Sequence, residues 1–563
     1  MWSRRAWIQS TAAVGLGLST GLLRGEEPAK KEEKPKYDKP VELSDIDILK
    51  EVKEWNSAKF ATPPTQFRQG HVTPRELAAD ATTKQDKGYT IKLPSGAPIP
   101  TPSVYAGKLF VSGGFHSKEF YCFEAATGKF VWGMNLDDDG PTSAACDDGV
   151  IVFNTESCTV FALAAETGKQ LWSWWLGDPL TSTPTISRGI VFTSYPAGGG
   201  GQQQLNAVPQ EQEAPKQPEK APEKEKETPP QNTAPQNATQ QNAAPPQAAP
   251  FVREGEARGD KPHPPCSHVL CALDLKTGKI LWQRWIESDV MSAPVAIDDE
   301  LYITTFAGVV YKFRQKDGEI LSARKSRATS APVIVGQNIY LTRRADNGKG
   351  PAAECVAGLD RWGQAKFNGA AKEAQYLDAT VQRLSKQKAA GMQLDAANGF
   401  AGGAPAQANP HAAALNVGQD NVSTMQAFQG SRMLHYAGKN FNCMGDEIVS
   451  TDPTSGKQLW SKKIAGDLKE EGGALAAPPV LAGGHLFIAT LGGEIWQMEP
   501  EKGEIKNKFK IGQATRFQPA IEGGRIYVGT QNGQVICINT GDAKLTGWPC
   551  WGANPAHTGV ASK

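Results

Sequence analysis

The sequence predicts an all-β fold: an eight-bladed β-propeller made of four-stranded antiparallel blades. Three observations lead to this prediction. A pattern of about 40 residues repeats along the chain, four copies contain a Thr-Gly or Ser-Gly turn, and a tryptophan follows each of these turn glycines by four residues. The 563 residues also include 58 glycines and 14 tryptophans, a composition that suits short strands joined by tight turns.

The repeat is clearest in the frame small-x-acidic-x-x-Thr-Gly-x-x-x-Trp, which four segments follow closely. The turn glycines and tryptophans are Gly128 with Trp132, Gly168 with Trp172, Gly278 with Trp282, and Gly456 with Trp460. Alternating apolar residues before the turn predict a half-buried strand, and glycine supplies the positive φ that a tight hairpin turn needs. The tryptophan is expected to place its ring between neighbouring sheets. These residues are therefore assigned a structural role.

Counting the repeats gives the number of blades. The units span 101–136, 142–176, 183–286, 292–325, 330 to about 370, 430–464, 477–511 and 518–551. The fifth unit has no clear outer strand, so a seven-bladed ring is the alternative. A unit with two apolar faces needs a neighbour on each side, which predicts a closed ring. Residues 89–93 are expected to close it by supplying the outer strand of the last blade.

The remaining parts of the chain differ in composition. The expected segments are an export signal (1–25), a charged stalk or linker (26–88), the propeller (89–551) and a C-terminal tail (552–563). Arg4 and Arg5 precede a weakly apolar run and together resemble a twin-arginine signal; an uncleaved anchor or a chance arginine pair are the alternatives. The run is too short and glycine-rich for a membrane span, so none is expected after signal removal.

Two insertions interrupt the predicted propeller. Residues 197–265 are rich in Pro, Gln, Ala, Glu and Lys, and they bury too little apolar surface to fold, which predicts disorder. Residues 364–429 include a segment with helical spacing around Leu377 and Val381, which predicts a partly helical insertion.

Charge and cysteine content exclude some classes of function. The formal net charge is +1, from 60 basic and 59 acidic side chains, so no nucleic-acid partner is expected. Nine cysteines are present without a C-x-x-C pair, and the odd number requires at least one thiol that is free or paired outside the chain. We expect Cys122, Cys271 and Cys537 to be buried as small apolar residues.

Motifs for catalysis are absent from the sequence. It contains no H-E-x-x-H, Walker loop, nucleophile elbow or dinucleotide fingerprint, so no catalytic residue and no metal ligand is assigned. His263 and His268 flank Cys266 in a pattern that fits either a soft-metal site or the end of a linker.

A candidate ligand site lies at one mouth of the predicted channel. Residues just before each first strand, and those between the second and third strands, are expected to ring that mouth. The candidates are Arg327, Arg343, Arg344, Arg432, Arg516 and His116. Converging arginines bind carboxylate or phosphate groups and acidic peptides. The alternative is a solvated rim whose charges pair with nearby Asp and Glu.

The frame that contains Asp274, Gly278 and Trp282 resembles the tryptophan-docking motif of the pyrroloquinoline-quinone-like (PQQ-like) β-propeller repeat family, over roughly 89–551 without the insertions. This family includes quinoprotein dehydrogenases and an outer-membrane assembly lipoprotein that is an eight-bladed scaffold without quinone. The resemblance implies the fold more than the cofactor, because the motif lies at the blade periphery and quinone would lie on the ring axis. The adjacent cysteine pair and the haem motif of such dehydrogenases are missing here.

The expected function is therefore an exported, non-catalytic scaffold of the periplasm or cell envelope. It is expected to be a monomer that binds an envelope protein or a small ligand, without a cofactor. The alternatives are a dehydrogenase that uses PQQ with calcium, and a surface or polysaccharide-handling protein.

Overall fold

Eight antiparallel sheets of at least four strands each form the propeller, as the repeat count predicts. In this computed structural model, the described residues are 41–63, 68–114, 116–155, 159–176, 183–196, 261–345, 353–373, 433–467, 475–545, 547–548 and 552–558. The predicted signal (1–25), most of the Pro/Gln-rich insertion and the predicted helix after residue 373 lie outside them. Within the described residues, no helix is long and apolar enough to cross a membrane.

Each of the first four blades runs from an inner strand at the axis to an outer strand at the periphery. Blade 1 contains Ser103–Tyr105, Lys108–Ser112, Glu119–Glu124 and Phe130–Leu136. Blade 2 contains Ala145–Asp147, Val150–Asn154, Thr159–Ala164 and Gln170–Trp175. Blade 3 contains Thr185–Ser187, Ile190–Pro196, His268–Asp274 and Ile280–Ile286. Blade 4 contains Val295–Ile297, Glu300–Thr304, Val309–Arg314 and Ile320–Lys325.

The other four blades follow the same order. Blade 5 contains Val333–Val335, Asn338–Arg344, Ala353–Asp360 and Ala365–Asn368, with Lys372–Glu373 added beside the third strand. Blade 6 contains Met433–Tyr436, Lys439–Met444, Glu447–Thr451 and Gln458–Lys463. Blade 7 contains Val480–Ala482, His485–Thr490, Glu494–Met498 and Ile505–Lys510. Blade 8 contains Ala520–Glu522, Arg525–Gly529, Gln534–Asn539 and, from the N-terminal part, Gly88–Lys92.

The N-terminal strand closes the ring as predicted. Gly88–Lys92 pairs antiparallel with Gln534–Asn539, with Tyr89 opposite Cys537. A further strand, Thr82–Gln85, pairs with its outer side. The first and last parts of the propeller therefore share one sheet.

The four tryptophans of the repeat join blades 1, 2, 3 and 6 to the next blade. The indole Nε1 of Trp132 donates to Ala165 O, that of Trp172 to Leu275 O, that of Trp282 to Gln315 O and that of Trp460 to Pro500 O, at 2.8–3.1 Å. Each tryptophan lies opposite a small residue of its own third strand, such as Ala272 opposite Trp282. The small position of the frame thus leaves room for the ring.

The fifth unit forms a complete blade, which confirms eight blades over seven. Its outer strand is Ala365–Asn368, and Phe367 occupies the position that tryptophan has in other blades, packing on Gly456 of blade 6. This outer strand lies inside the range predicted as an insertion from residue 364.

Residues 41–63 and 68–85 form a belt around the propeller instead of the linker that the sequence predicts. Along the chain, the belt passes blades 5, 4, 3, 2, 1 and 8 in that order. It contains the strands Ile46–Asp47 and Val72–Pro74 and the helix Leu49–Trp55. Val52 and Ile48 of the belt enter the apolar cluster between blades 3 and 4, which explains why this charged segment stays on the propeller.

Seven of the nine cysteines lie in the described residues, and all seven are buried free thiols. Burial raises the pKa of the Cys122 thiol to about 12 and that of Cys537 to about 11. The prediction that Cys122, Cys271 and Cys537 act as small apolar residues is confirmed.

Candidate functional site

Where the structure describes them, the turns between the second and third strands and the links to the next blade lie on one face of the propeller, the upper face. In blades 4, 7 and 8 this turn has the sequence Thr-x-x-Gly. The threonine hydroxyl accepts a hydrogen bond from the backbone N four residues later, as Thr530 does from Gln534 at 3.1 Å. This local bond fixes the turn.

The turn glycine lets the link pack directly on the turn. Gly308 has φ +78, and a Cβ there would lie 2.7 Å from Arg327 Cα. The Thr-x-x-Gly spacing is the signal in the sequence that could have predicted this turn. Arg327 is thus held by its backbone against the turn of its own blade.

Carboxylates of the links tie the links to the turns. Asp138 accepts hydrogen bonds from the hydroxyls of Thr155, at 2.6 Å, and Thr159. Glu287 accepts from Thr305 and Tyr311, and burial raises the pKa of Glu287. These acidic groups therefore have structural partners on the upper face.

Three of the predicted arginines meet at the link between blades 4 and 5. Arg344 N donates to Arg327 O at 2.9 Å, and Arg343 forms an isolated bridge with Ala328. Arg327 and Arg344 are half-buried on the upper face.

Arg343 differs from its predicted position at the channel mouth. Its guanidinium is completely buried and pairs with Asp45 of the belt. It also donates to Ser326 O at 2.6 Å and to Oδ1 of Asn368, in the outer strand, at 2.9 Å. The side chain thus points away from the axis, because a buried guanidinium needs partners for its donors. Arg343 fastens the belt to blades 4 and 5.

The other predicted residues do not join this group. His116 lies in the turn of blade 1, where its side chain is 56% exposed and its Nδ1 is 4.0 Å from the Asp139 carboxylate. Arg516 is half-buried in the link between blades 7 and 8. Arg432 lies outside the described residues. The described candidates therefore occupy three separate parts of the upper face.

The C-terminal residues lie across the inner strands of the propeller. Gly547–Trp548 pairs antiparallel with Leu481–Ala482 of blade 7. Residues 552–558, which we call the crossing, then span three more blades: Cys146 N donates to Pro555 O at 2.7 Å, Ile186 N to Ala556 O at 2.9 Å, and Ala296 N to Thr558 O at 2.9 Å. Residues 552–558 of the predicted C-terminal tail thus lie against the inner strands at the centre of the propeller.

Two residues of the crossing, Ala553 and His557, are buried, and the others are half-buried. His557 is 2% exposed, its Nδ1 is 3.3 Å from Pro184 O, and burial lowers its pKa to about 3. A cavity of about 290 Å³ adjoins the crossing and is lined by Tyr105, Asp147 and Arg188 of blades 1 to 3. No local pattern in the sequence marks the crossing.

The histidines beside Cys266 have partners within the protein. The His263 ring packs edge-on against Trp285 at 5.0 Å, and His268 Nδ1 lies 2.8 Å from the Ser267 hydroxyl. Among the residues that the structure describes, no three His, Cys, Asp or Glu side chains converge as metal ligands would.

Together these features define a closed ring of eight blades, in which docked tryptophans join four of the neighbouring pairs. A family model described as outer membrane protein assembly factor BamB matches residues 94–209, 259–386 and 445–549, which is more than half of the chain. The chain therefore belongs to this family of PQQ-like propellers. No curated protein sequence matches it.

Several solved structures are similar to the chain at low sequence identity. BamB from Moraxella catarrhalis is 14% identical, with 83% of this chain and 97% of that chain covered and a TM-score of 0.45. A europium-containing methanol dehydrogenase is 12% identical, with 80% and 86% covered and a TM-score of 0.44. The quinohemoprotein alcohol dehydrogenase ADHIIG from Pseudomonas putida HK5 is 12% identical, with 89% and 83% covered and a TM-score of 0.43.

Proposed function

We propose that this chain is an exported, non-catalytic propeller that binds another protein of the cell envelope and acts as a scaffold. The observation that carries the proposal is the crossing. Its carbonyl oxygens accept hydrogen bonds from inner-strand N–H groups of blades 2, 3 and 4, so the chain itself fills that side of the axis. Binding is then left to the faces and the outer edges of the blades.

The crossing also bears on quinone. The residues beside blades 2 to 4 do not fit an axial quinone, since Ala553 and His557 are buried there and the nearby N–H groups already have acceptors. A planar ligand carrying several carboxylates would have to displace the crossing. Arg343, the most deeply buried of the candidate arginines, is turned to the belt. These contacts support a protein without PQQ or calcium.

Capture from the envelope tests the scaffold. The full chain, tagged and expressed in its source cells, is cross-linked and recovered from the envelope fraction, and co-purifying proteins are compared with those recovered with an unrelated exported propeller. We expect at least one specific partner in stoichiometric amount. Recovery of the chain as a partner-free monomer would reject the scaffold.

A quinone titration tests the alternative of a dehydrogenase. The purified chain is mixed with PQQ and calcium, and absorbance and dye-linked alcohol oxidation are recorded. We expect no bound quinone after gel filtration and no oxidation. Stoichiometric retention of quinone would favour the dehydrogenase.

Export can be tested separately from binding. Replacing Arg4 and Arg5 by lysine is expected to hold the chain in the cytoplasm, because twin-arginine signals require the arginine pair. Cell fractionation measures this, with wild type as control.

A further inference from the structure

The belt pairs with the outer edges of most blades. Ile46–Asp47 pairs antiparallel with Arg324 and Lys325 of blade 4, and Val72–Pro74 pairs antiparallel with blade 1. Trp175 N of blade 2 donates to Arg68 O at 2.6 Å. The outer strands of this propeller therefore accept added extended chain, in antiparallel orientation where a strand forms.

On blade 3 the belt covers the edge with a side chain. Asn56 Oδ1 accepts from Trp285 N at 2.8 Å, and Asn56 Nδ2 donates to Trp285 O at 3.1 Å. On blade 8, Thr82–Gln85 pairs with the closing strand. The belt thus supplies partners for backbone groups that an edge strand would otherwise expose.

Blades 6 and 7 are different. Their outer strands, Gln458–Lys463 and Ile505–Lys510, are the last strands of their sheets and have no belt residue beside them in the described part of the chain. Nearly all residues of these two strands are exposed or half-buried. Within the described part of the chain these two neighbouring edges are open, and the outer strand of blade 5, Ala365–Asn368, also ends its sheet.

Lysines are frequent on these two edges. Gln458–Lys463 contains Lys462 and Lys463, and Ile505–Lys510 contains Lys506, Lys508 and Lys510. The covered outer strands of blades 1 and 2, Phe130–Leu136 and Gln170–Trp175, contain no lysine or arginine, whereas that of blade 4 contains Arg324 and Lys325.

Some of these lysines already have acidic neighbours. Lys508 pairs with Glu494 at 2.9 Å, Lys506 with Glu504 at 2.8 Å, and Lys463 with Asp446 at 3.5 Å. Five lysines against three carboxylates leave the two edges positive. A second copy of the chain would bring lysine against lysine there, which disfavours edge-to-edge self-association. An acidic strand would meet opposite charge at the same positions.

We propose that the open edges of blades 6 and 7 bind an extended acidic segment of a partner protein, which adds to them as a strand in the way the belt adds to blades 4 and 1. The inference deepens and rests on the proposed scaffold function, since it names the surface and the kind of partner. A segment of about 15 residues at ~3.3 Å per residue reaches across both edges.

The test uses the full chain and a synthetic peptide of about 16 residues that alternates Glu with Thr and Val, a pattern that suits a half-buried strand. Fluorescence anisotropy measures its affinity, and hydrogen exchange locates it. We expect binding with slowed exchange confined to residues 458–463 and 505–510. A peptide with Lys in place of Glu is the control and is expected not to bind. Slowed exchange at any other strand, or equal binding of both peptides, would overturn the proposal.

Charge reversal supplies the matched variants. Lys462→Glu with Lys510→Glu is expected to weaken peptide binding roughly tenfold, because two favourable cross-strand pairs become repulsive. The control, Lys169→Glu with Lys279→Glu, changes exposed turn lysines of blades 2 and 3 and is expected to leave affinity unchanged. Equal affinity of the two variants would overturn the proposal, as would dimerisation of wild type through these edges in sedimentation velocity.

The same variants separate this inference from the scaffold function. If the edge variant loses the peptide but still captures its envelope partner, the scaffold stands and the edge is not its docking surface. If the edge variant loses both, the two proposals hold together. If wild type binds the peptide but captures no envelope partner, the scaffold function fails while the edge site remains.

Discussion

The indole of Trp172 in blade 2 lies against Gly278 in blade 3. A Cβ on Gly278 would be 2.6 Å from Cδ2 of the indole, and the Trp172 Nε1 donates a 2.8 Å hydrogen bond to Leu275 O three residues before that glycine. The same relationship joins Trp132 to Gly168, Trp282 to Gly318 and Trp460 to Gly503. The turn of one blade is thus the receptor for the tryptophan of the blade before it.

Gly278→Ala tests this contact. The methyl group would collide with the indole, and φ of +69 is strained for alanine, so we expect a loss of about 2–4 kcal/mol in the free energy of unfolding. Gly189→Ala is the control, since it has φ +75 in the same blade but open space around the Cβ, and it is expected to cost only about 1–2 kcal/mol. Urea denaturation measures both; equal losses would contradict the docking role.

Asp45→Ala tests the anchor of the belt. It leaves the buried Arg343 guanidinium without its carboxylate, so we expect a loss of about 3–5 kcal/mol and earlier proteolysis of the belt. Asp47→Ala is the control, because its pair with Arg324 spans 3.3 Å and its side chain is 55% exposed. That pair is expected to contribute less than about 1 kcal/mol. Similar effects of the two changes would argue against the anchor.

Removal of the closing strand tests the ring. A chain that begins at residue 98 lacks Gly88–Lys92 and is expected to lose much of its thermal stability, since Gln534–Asn539 then has no outer partner. A chain that begins at residue 76 keeps this strand and loses only the earlier part of the belt. Scanning calorimetry compares the two. A chain from residue 98 that melts with the full-length protein would contradict closure.

His557 predicts that the crossing loosens in acid. Its pKa is lowered to about 3 in the folded state against an ordinary value of 6.5, so the unfolded state binds more protons. The stabilisation is present above pH 6.5 and is lost as pH falls toward 3, by about 1.4 kcal/mol per pH unit within that range. Hydrogen exchange of residues 552–558 at pH 5 and pH 7.5 measures this. His557→Leu removes the titrating group. In this variant the exchange of residues 552–558, corrected for intrinsic rates, is expected to be independent of pH. A pH dependence that persists in the variant would assign the effect to another group.

The parts of the fold that sequence predicts well are those whose signal is local. Trp172 and Gly278 both lie in copies of the repeat frame. Tyr89 lies in a strand-like segment near the start of the chain, and the last repeat unit has no clear outer strand of its own, so the two could be matched. Blade 5 was harder, because Phe367 replaces tryptophan and the usual mark is missing. The belt could not be predicted from the sequence. It binds the outer strands through backbone groups and single side chains such as Asn56, and such contacts leave no periodic pattern in the belt sequence.

The candidate site was predicted less well than the fold. The position of Arg343 in its strand predicted a side chain near the channel mouth. Its guanidinium instead points to Asp45 and Asn368, to which it donates hydrogen bonds. Asp45 is about 300 residues away in sequence, so no local pattern joins the pair. The crossing could not be predicted for a similar reason. It binds three blades through backbone carbonyl oxygens, which every residue has, so no residue type marks these contacts in the sequence.

The closing strand also decides when the ring can be completed. Gly88–Lys92 leaves the ribosome early, but its partner Gln534–Asn539 follows roughly 440 residues later, which at ~5–20 residues per second is a delay of roughly 20–90 s. Until then the growing propeller is an open arc, and the closing strand has no partner strand because blade 8 has not yet been made. Closure of the ring therefore follows synthesis. A cell that moves this chain across a membrane must do so either before the ring closes or after the whole propeller has folded.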